Sequence, residues 1–348
     1  MRRYEKWMQK DEVKNKLKKV LEKAGVPLEL RAIKFLEEHG YRCATYHYKD
    51  SDSGKYRELE IYASKTNAHS FQIKQCEVVF NIVILAECKY SRDADFLAFE
   101  SKKNHFPSFP VLFSGEHILK APYLGFKFPM VIRKIAETNM KGLESSENFQ
   151  DKRTHKACEQ LTSCFSYIYE KRKQKYRIML DQHQTFFDRL WKDFLSKKSI
   201  FIGDKLVLKQ KISDFLKQNY GAEELLRRIP YFSIEIGFPL LVIHEDMGLI
   251  RIRHNTANGQ IEGFEDVGYG IYPYVSEHAD RYDNILHGYY AFPILICNLA
   301  YLDDLWKTLN GGIRKMVDSA KKVIQNNPYI VPEEVLERLY AGNPTLQQ

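Results

Sequence analysis

Asn81-Ile82-Val83-Ile84-Leu85-Ala86-Glu87-Cys88-Lys89-Tyr90 is the stretch on which the fold turns. Its aliphatic, β-branched run predicts a buried strand over Val78 to Tyr90. Successive strand residues point to opposite faces. Ile82, Ile84, Ala86 and Cys88 therefore share one face, and Val83, Leu85, Glu87 and Lys89 share the other. An acid and a base stand side by side at the end of an otherwise apolar strand. Burying them is costly unless they pair or bind a cation.

Working outward, Glu58 to Ala63 predicts a second strand, with Glu58, Glu60 and Tyr62 on one face and Leu59 and Ile61 on the other. Glu60 is the acid expected to meet Glu87, because it stands between two apolar anchors while Glu58 lies nearer the polar turn at Asp50 to Gly54. Carboxylates brought together from adjacent strands can hold one hard cation, which prefers oxygen ligands. Bound magnesium suits phosphodiester hydrolysis, since it polarises a phosphoryl oxygen and offsets the charge that grows in the transition state. An ammonium placed beside the attacking water, here Lys89, can orient it. Further upstream, Tyr41 to Tyr48 predicts another strand. Pro27 opens an amphipathic helix to Glu38, with Leu28, Ala32, Phe35 and Leu36 as its buried stripe and Glu29 at the edge. The order is helix, strand, strand, strand.

Glu29 in that helix, Arg57-Glu58-Leu59-Glu60-Ile61 and Ala86-Glu87-Cys88-Lys89-Tyr90 together resemble the PD-(D/E)xK superfamily of restriction-endonuclease-like nucleases, best over residues 27 to 90. The resemblance implies an α/β fold with a central mixed sheet flanked by helices, here enlarged by helical and irregular insertions. It implies a catalytic set of Glu29, Glu60, Glu87 and Lys89, with Glu60, Glu87 and the Cys88 carbonyl as ligands of Mg2+ or Mn2+. The usual acid of the second strand is aspartate, so Glu60 departs from the pattern by a longer side chain that shifts the metal. The activity implied is endonucleolytic cleavage of nucleic acid, with DNA favoured, in restriction, anti-phage defence or repair. A later helix carrying His155, Glu159 and Gln160 resembles the one that lends a glutamine to the site in several members.

Beyond Tyr90 the periodicity fades: Ser91 to Asn104 is polar and ambiguous, and Phe106 to Pro129 reads as irregular. Helices are predicted over Lys152 to Arg177 and Gln182 to Leu195, and a further pair of short helices over Ile212 to Leu226. Strands are predicted over Phe232 to His244, Leu249 to Arg253 and Phe292 to Leu299, and a C-terminal helix over Asp303 to Tyr340. No internal repeat or low-complexity linker marks a boundary. The expected division is an N-terminal helical appendage (1–26), one nuclease-like domain with insertions (27–300) and a C-terminal helical segment (301–348).

The chain has 348 residues, 44% of them hydrophobic, enough to bury a substantial core. No stretch approaches the roughly 18 apolar residues of a membrane helix, and the charged start lacks a signal-peptide core. A cytoplasmic protein with no membrane partner is expected. The six cysteines form no CxxC pair, so they read as reduced, mostly buried thiols. A formal charge of +8 suits a polyanionic partner. Basic residues crowd Lys10 to Lys23 and Lys171 to Arg177. Lys171, Arg172 and Lys173 are the candidate phosphate contacts, although such runs read equally as solvated helix faces. With no helix-turn-helix evident, a homo-oligomer or a partner protein could supply target recognition.

Each residue taken singly has a plainer reading: Glu87 and Lys89 as a salt bridge, Glu29 as a first-turn carboxylate favoured by the helix dipole. Two other functions fit parts of the sequence. One is a nuclease-fold module without catalysis that binds nucleic acid or a partner protein. The other is a ribonuclease of the HEPN type, suggested by Arg281 and His287, but the Gly/Pro-rich, aromatic surroundings do not suit its helical bundle.

Overall fold

The computed structural model describes residues 26–50, 53–73, 76–90, 95–100, 109–114, 126–138, 152–182, 184–197, 205–219, 233–254, 260–275 and 291–326, with isolated positions at 11, 14–16 and 21. Most of the expected N-terminal appendage lies outside these residues, as do Arg281, His287 and the helix predicted beyond residue 326.

Helix α1 (Val26–Glu38) buries Leu28, Ala32 and Leu36, spaced four apart on one stripe. It ends where Gly40 adopts φ 81°, with Gly40 N–H donating to the Glu37 carbonyl and Tyr41 N–H to the Leu36 carbonyl. This is a Schellman cap, which favours glycine at the left-handed position. Strands β1 (Arg42–Lys49), β2 (Tyr56–Ile73) and β3 (Cys76–Lys89) follow as an antiparallel meander. β2 is far longer than the six residues predicted, because pairing with β3 carries its polar half, Ser64 to Ser70, past a bulge at Asn67. The Asn81 side chain accepts from Asn67 N–H there, so tertiary pairing overrides weak local propensity.

After β3 the chain forms β4 (Asp95–Glu100), β5 (Val111–Ser114) and β6 (Ile132–Thr138), then α2 (Lys152–Gln182), α3 (Gln184–Lys197) and α4 (Lys205–Asn219). It continues through β7 (Ser233–Ile243), β8 (Leu249–His254), β9 (Ile261–Asp266), β10 (Tyr269–Tyr274) and β11 (Phe292–Asn298) to α5 (Leu302–Asn326). The stretches read as ambiguous or irregular after Tyr90 thus contain β4 and β5, and the stretch between Arg253 and Phe292, for which no element is predicted, contains β9 and β10. These strands are short and lack clean alternation, which hid them.

The large sheet is mixed, in the order β1-β2-β3-β7-β11-β10, with β5 also paired to β7. β3, β7 and β11 run parallel. One face carries Ile82, Ile84, Ala86 and Cys88 under α1 and α5, and the other carries Val83 and Leu85 under α2. The fold is therefore α/β, a mixed sheet between helical layers, as the sequence predicts. A smaller sheet, β6-β4-β8-β9, continues from the β3/β7 pair, since β4 and β8 also run parallel.

Two residues of β7 show how the sheet is assembled. Pro239 has no N–H to give a central strand. It lies between Gly237, which pairs with β5, and Leu240, which pairs with β11, where the far edge passes from one partner to the other. Gly237 lies under the stacked rings of Phe165 and Phe113, 4.3 Å apart. An added Cβ there would stand 2.2 Å from the Phe165 ring and 2.7 Å from Phe113. Gly237→Ala is expected to destabilise the fold by about 1–3 kcal/mol through overpacking, read as a lowered thermal midpoint. An unchanged midpoint would show that α2 can lift freely from the sheet.

Candidate active site

Because β3, β7 and β11 are parallel, their C-terminal ends open along one edge, the usual place for a ligand crevice in such sheets. The predicted residues gather there. A bulge in β2 positions Glu60: Tyr62 pairs with Ala44 and Leu59 with Tyr46, so Glu60 and Ile61 together oppose the single residue Thr45. The bulge corrects the expected alternation. Leu59 packs with Val83 and Leu85 on the α2 side, while Ile61 packs with Ile84 and Ala86 on the other.

The β2–β3 pairing ends at Ile61 and Ala86. Two residues on, the Cys88 N–H has no strand to pair with, and the Glu60 carboxylate accepts it at 2.5 Å. A strand residue directs its N–H and C=O to the same neighbour, so the Cys88 carbonyl faces the same gap. The Lys89 carbonyl faces β7, where His244 N–H donates to it at 3.2 Å.

Lys89 lies between the two acids, 3.0 Å from Glu87 and 3.6 Å from Glu60. Glu87 is 1% exposed, and its Oε1 is buried without a hydrogen-bond partner. Burial pushes the Glu87 carboxyl up to about 7, with the Lys89 ammonium opposing and Glu60 adding to the rise. Burial disfavours the Lys89 ammonium, but Glu87 and Glu60 outweigh it and hold its pKa above the ordinary value. Glu29, in the first turn of α1, is raised by partial burial and by the charges of Glu60 and Glu58, which places it in the same field. Glu58 points outward, its side chain 60% exposed beside His47. Burial and the neighbouring carboxylates push the Cys88 thiol well up, so this cysteine presents a carbonyl rather than a thiolate.

Sequence reasoning missed the β7 side of the site. His244-Glu245-Asp246 follows β7, and the Arg31 guanidinium pairs with Glu245. Partial burial opposes it, but Arg31 and His244 hold the Glu245 carboxyl below its ordinary range. The His244 ring packs on Tyr90 at 4.5 Å. The buried Asn298 at the end of β11 fixes the turn by donating to the Met247 carbonyl at 2.8 Å. The available signal was the one used for Glu87 and Lys89: charged residues immediately after an apolar strand.

Other predicted residues lie apart. The Gln160 carbonyl accepts from the Tyr48 hydroxyl at 3.1 Å, which ties α2 to β1. Arg172 is ion-paired with Glu235 at 2.9 Å, Lys171 lies over the Tyr167 ring, and Lys173 is half-buried. Compared with known protein families, curated proteins and solved structures, the chain shows no match.

Among the described residues no three His, Cys, Asp or Glu side chains form a ready metal cluster. The donor chemistry nevertheless fits a hard cation. Glu87 Oε1 is an orphaned carboxylate oxygen, Glu60 is adjacent, and the Cys88 carbonyl faces the same gap. Magnesium routinely completes such partial protein shells with water.

Proposed function

We propose that this chain is a metal-dependent nuclease with a restriction-endonuclease-like core, hydrolysing phosphodiester bonds of nucleic acid, with DNA the favoured substrate. The observation that carries the reading is the buried, half-unpartnered Glu87 carboxylate, held with Lys89 and Glu60 at the open end of the parallel strands. The chain order supports it: one helix, three antiparallel strands, then, with insertions before and between them, helix α2 on the sheet and strand β7 parallel to β3.

Glu60, Glu87 and the Cys88 carbonyl would hold Mg2+ or Mn2+. The ion, when bound, offsets charge on the scissile phosphate and lowers the pKa of water. The side chains divide the remaining work. Lys89, kept protonated by the two acids, donates hydrogen bonds that orient the attacking water toward phosphorus and stabilise negative charge on the phosphate. Attack forms a P–O bond as the P–O bond to the leaving sugar breaks, the water's proton passes to solvent or to a carboxylate of the site, and the leaving sugar oxygen takes up a proton from solvent. Glu29, raised by partial burial and by the charges of Glu60 and Glu58, would share that proton.

Incubation of the protein with plasmid, linear and single-stranded DNA and with RNA, in Mg2+, Mn2+ or chelator, tests the reading. Cleavage is expected only with a divalent ion. Lys89→Ala is expected to fold and to lose at least about 10²-fold in rate, the scale of a positioned proton-handling group. Full activity of Lys89→Ala would remove the assignment.

A further inference from the structure

The charge of this chain is not spread over its surface. Residues 152–219, which run from the start of α2 to the end of α4, contain 16 of the 53 Lys and Arg and only seven of the 45 Asp and Glu, a net +9. The rest of the chain sums to −1, so the whole positive excess of +8 resides in this one segment.

The site edge has the opposite character. Glu29, Glu58, Glu60, Glu87, Glu245 and Asp246 gather there, and its cations Arg31 and Lys89 are already paired with carboxylates. Such an edge repels a polyanion until a metal is bound, so attraction must come from elsewhere.

The first half of α2 belongs to the core, packed on the sheet through Ala157, Leu161 and Phe165, and the part that stands apart follows it. Arg172 anchors α2 to Glu235 of β7 and lies 3.4 Å from the Tyr62 hydroxyl of β2. Beyond Arg172 no described side chain of α2 is buried. In α3 and α4, Leu190, Phe194, Ile212 and Phe215 are buried outside both core clusters, with Phe194 and Phe215 in edge contact at 5.2 Å. The pair thus has a small core of its own. Lys171, Lys175, Arg189, Lys192 and Lys217 are exposed on these helices.

We infer that the end of α2 from Lys171 onward, together with α3 and α4, forms the electrostatic grip of the protein, a helical surface that holds the phosphodiester backbone of nucleic acid while the acidic strand edge carries the chemistry. The choice of nucleic acid rests on the function proposed above. Arg172 belongs to the scaffold of the grip rather than to its binding surface. The spacing suits the division of labour. Glu235 pairs with Asn81, six residues before Glu87, so the anchor lies roughly 20 Å from Glu87 along β3. Phosphates recur about every 3.4 Å along each strand of a duplex, so one short segment can reach both places.

The test measures binding of the full-length protein to a short fluorescent duplex DNA and to a single-stranded RNA, by anisotropy across a salt series in chelator. The variant K171Q/K173Q/K175Q/R189Q/K192Q is compared with K34Q/K321Q/K322Q, whose lysines lie on α1 and α5. The first is expected to weaken binding by about tenfold or more, with the log–log salt slope reduced by about 0.9 for each phosphate that is no longer neutralised. The control should match the wild type, and the DNA and RNA arms identify the backbone preferred. Equal weakening in both variants or an unchanged slope would each overturn the inference. A protein that binds through the grip yet cleaves nothing with Mg2+ or Mn2+ would overturn the nuclease reading alone. Cleavage indifferent to the first variant at every salt concentration would overturn the grip alone.

Discussion

Glu87→Gln is expected to abolish cleavage and at the same time to stabilise the metal-free protein. A residue retained only for structure would not do both. Glu87 is 1% exposed, its Oε1 has no partner, and burial lifts its pKa to about 7 from the ordinary 4.5. Between these values the folded protein binds a proton that the unfolded chain has released, so stability falls as pH rises through the window. Below about 4.5 both states are protonated and the penalty vanishes. Above about 7 it is complete, on the order of 3 kcal/mol for a shift of this size. Glutamine keeps the shape and an acceptor for Lys89 but cannot ionise. Thermal melts in chelator should show the variant more stable than wild type at pH 8 and indistinguishable from it near pH 4. Magnesium should narrow the gap at pH 8, because a ligand that binds only the folded wild type stabilises it. A less stable variant at pH 8 would mean that the Glu87 carboxylate is satisfied within the fold and is not held for a cation.

The parts of this arrangement that lie close together in sequence were readable in advance. The apolar run before Glu87 and the regular stripe of α1 each encode their own element, and the acid–base pair at a strand end carries its energetic warning within three residues. What was hidden depends on distant partners. The bulge at Glu60 exists because β1 and β2 count differently across it, which no alternation within β2 reveals. The long polar half of β2 is held by β3, and β4 is a strand because β8 lies beside it. Arg31, Glu245 and His244 come together only when β7 docks beside β3. The pairing of Arg172 with Glu235 is equally invisible in a run of lysines and arginines, where the anchoring residue looks like its exposed neighbours.

The bulge also changes what substitutions in β2 should do. Glu60 has two tasks, because one carboxylate oxygen accepts the Cys88 N–H while the other lies 3.6 Å from Lys89. Glu60→Ala removes both. It leaves a backbone donor without a partner at a half-buried position, which costs about 1–3 kcal/mol, and it removes a metal oxygen. Loss of activity in that variant therefore cannot separate folding from chemistry. Glu60→Gln can, because its amide oxygen still accepts from Cys88 N–H while the charge is gone. Glu60→Gln is expected to melt within about 1 kcal/mol of the wild type and to lose most metal affinity and cleavage, read by calorimetry and by plasmid nicking. Glu58→Ala, at an exposed side chain beside His47, is expected to leave both nearly intact. Glu60→Asp retracts the carboxylate from Cys88 by one methylene, so it should weaken the cap even where it keeps a metal ligand. If Glu58→Ala is dead and Glu60→Gln is active, the cation is held by the outward-facing acid, and the gap at Cys88 is a structural cap alone.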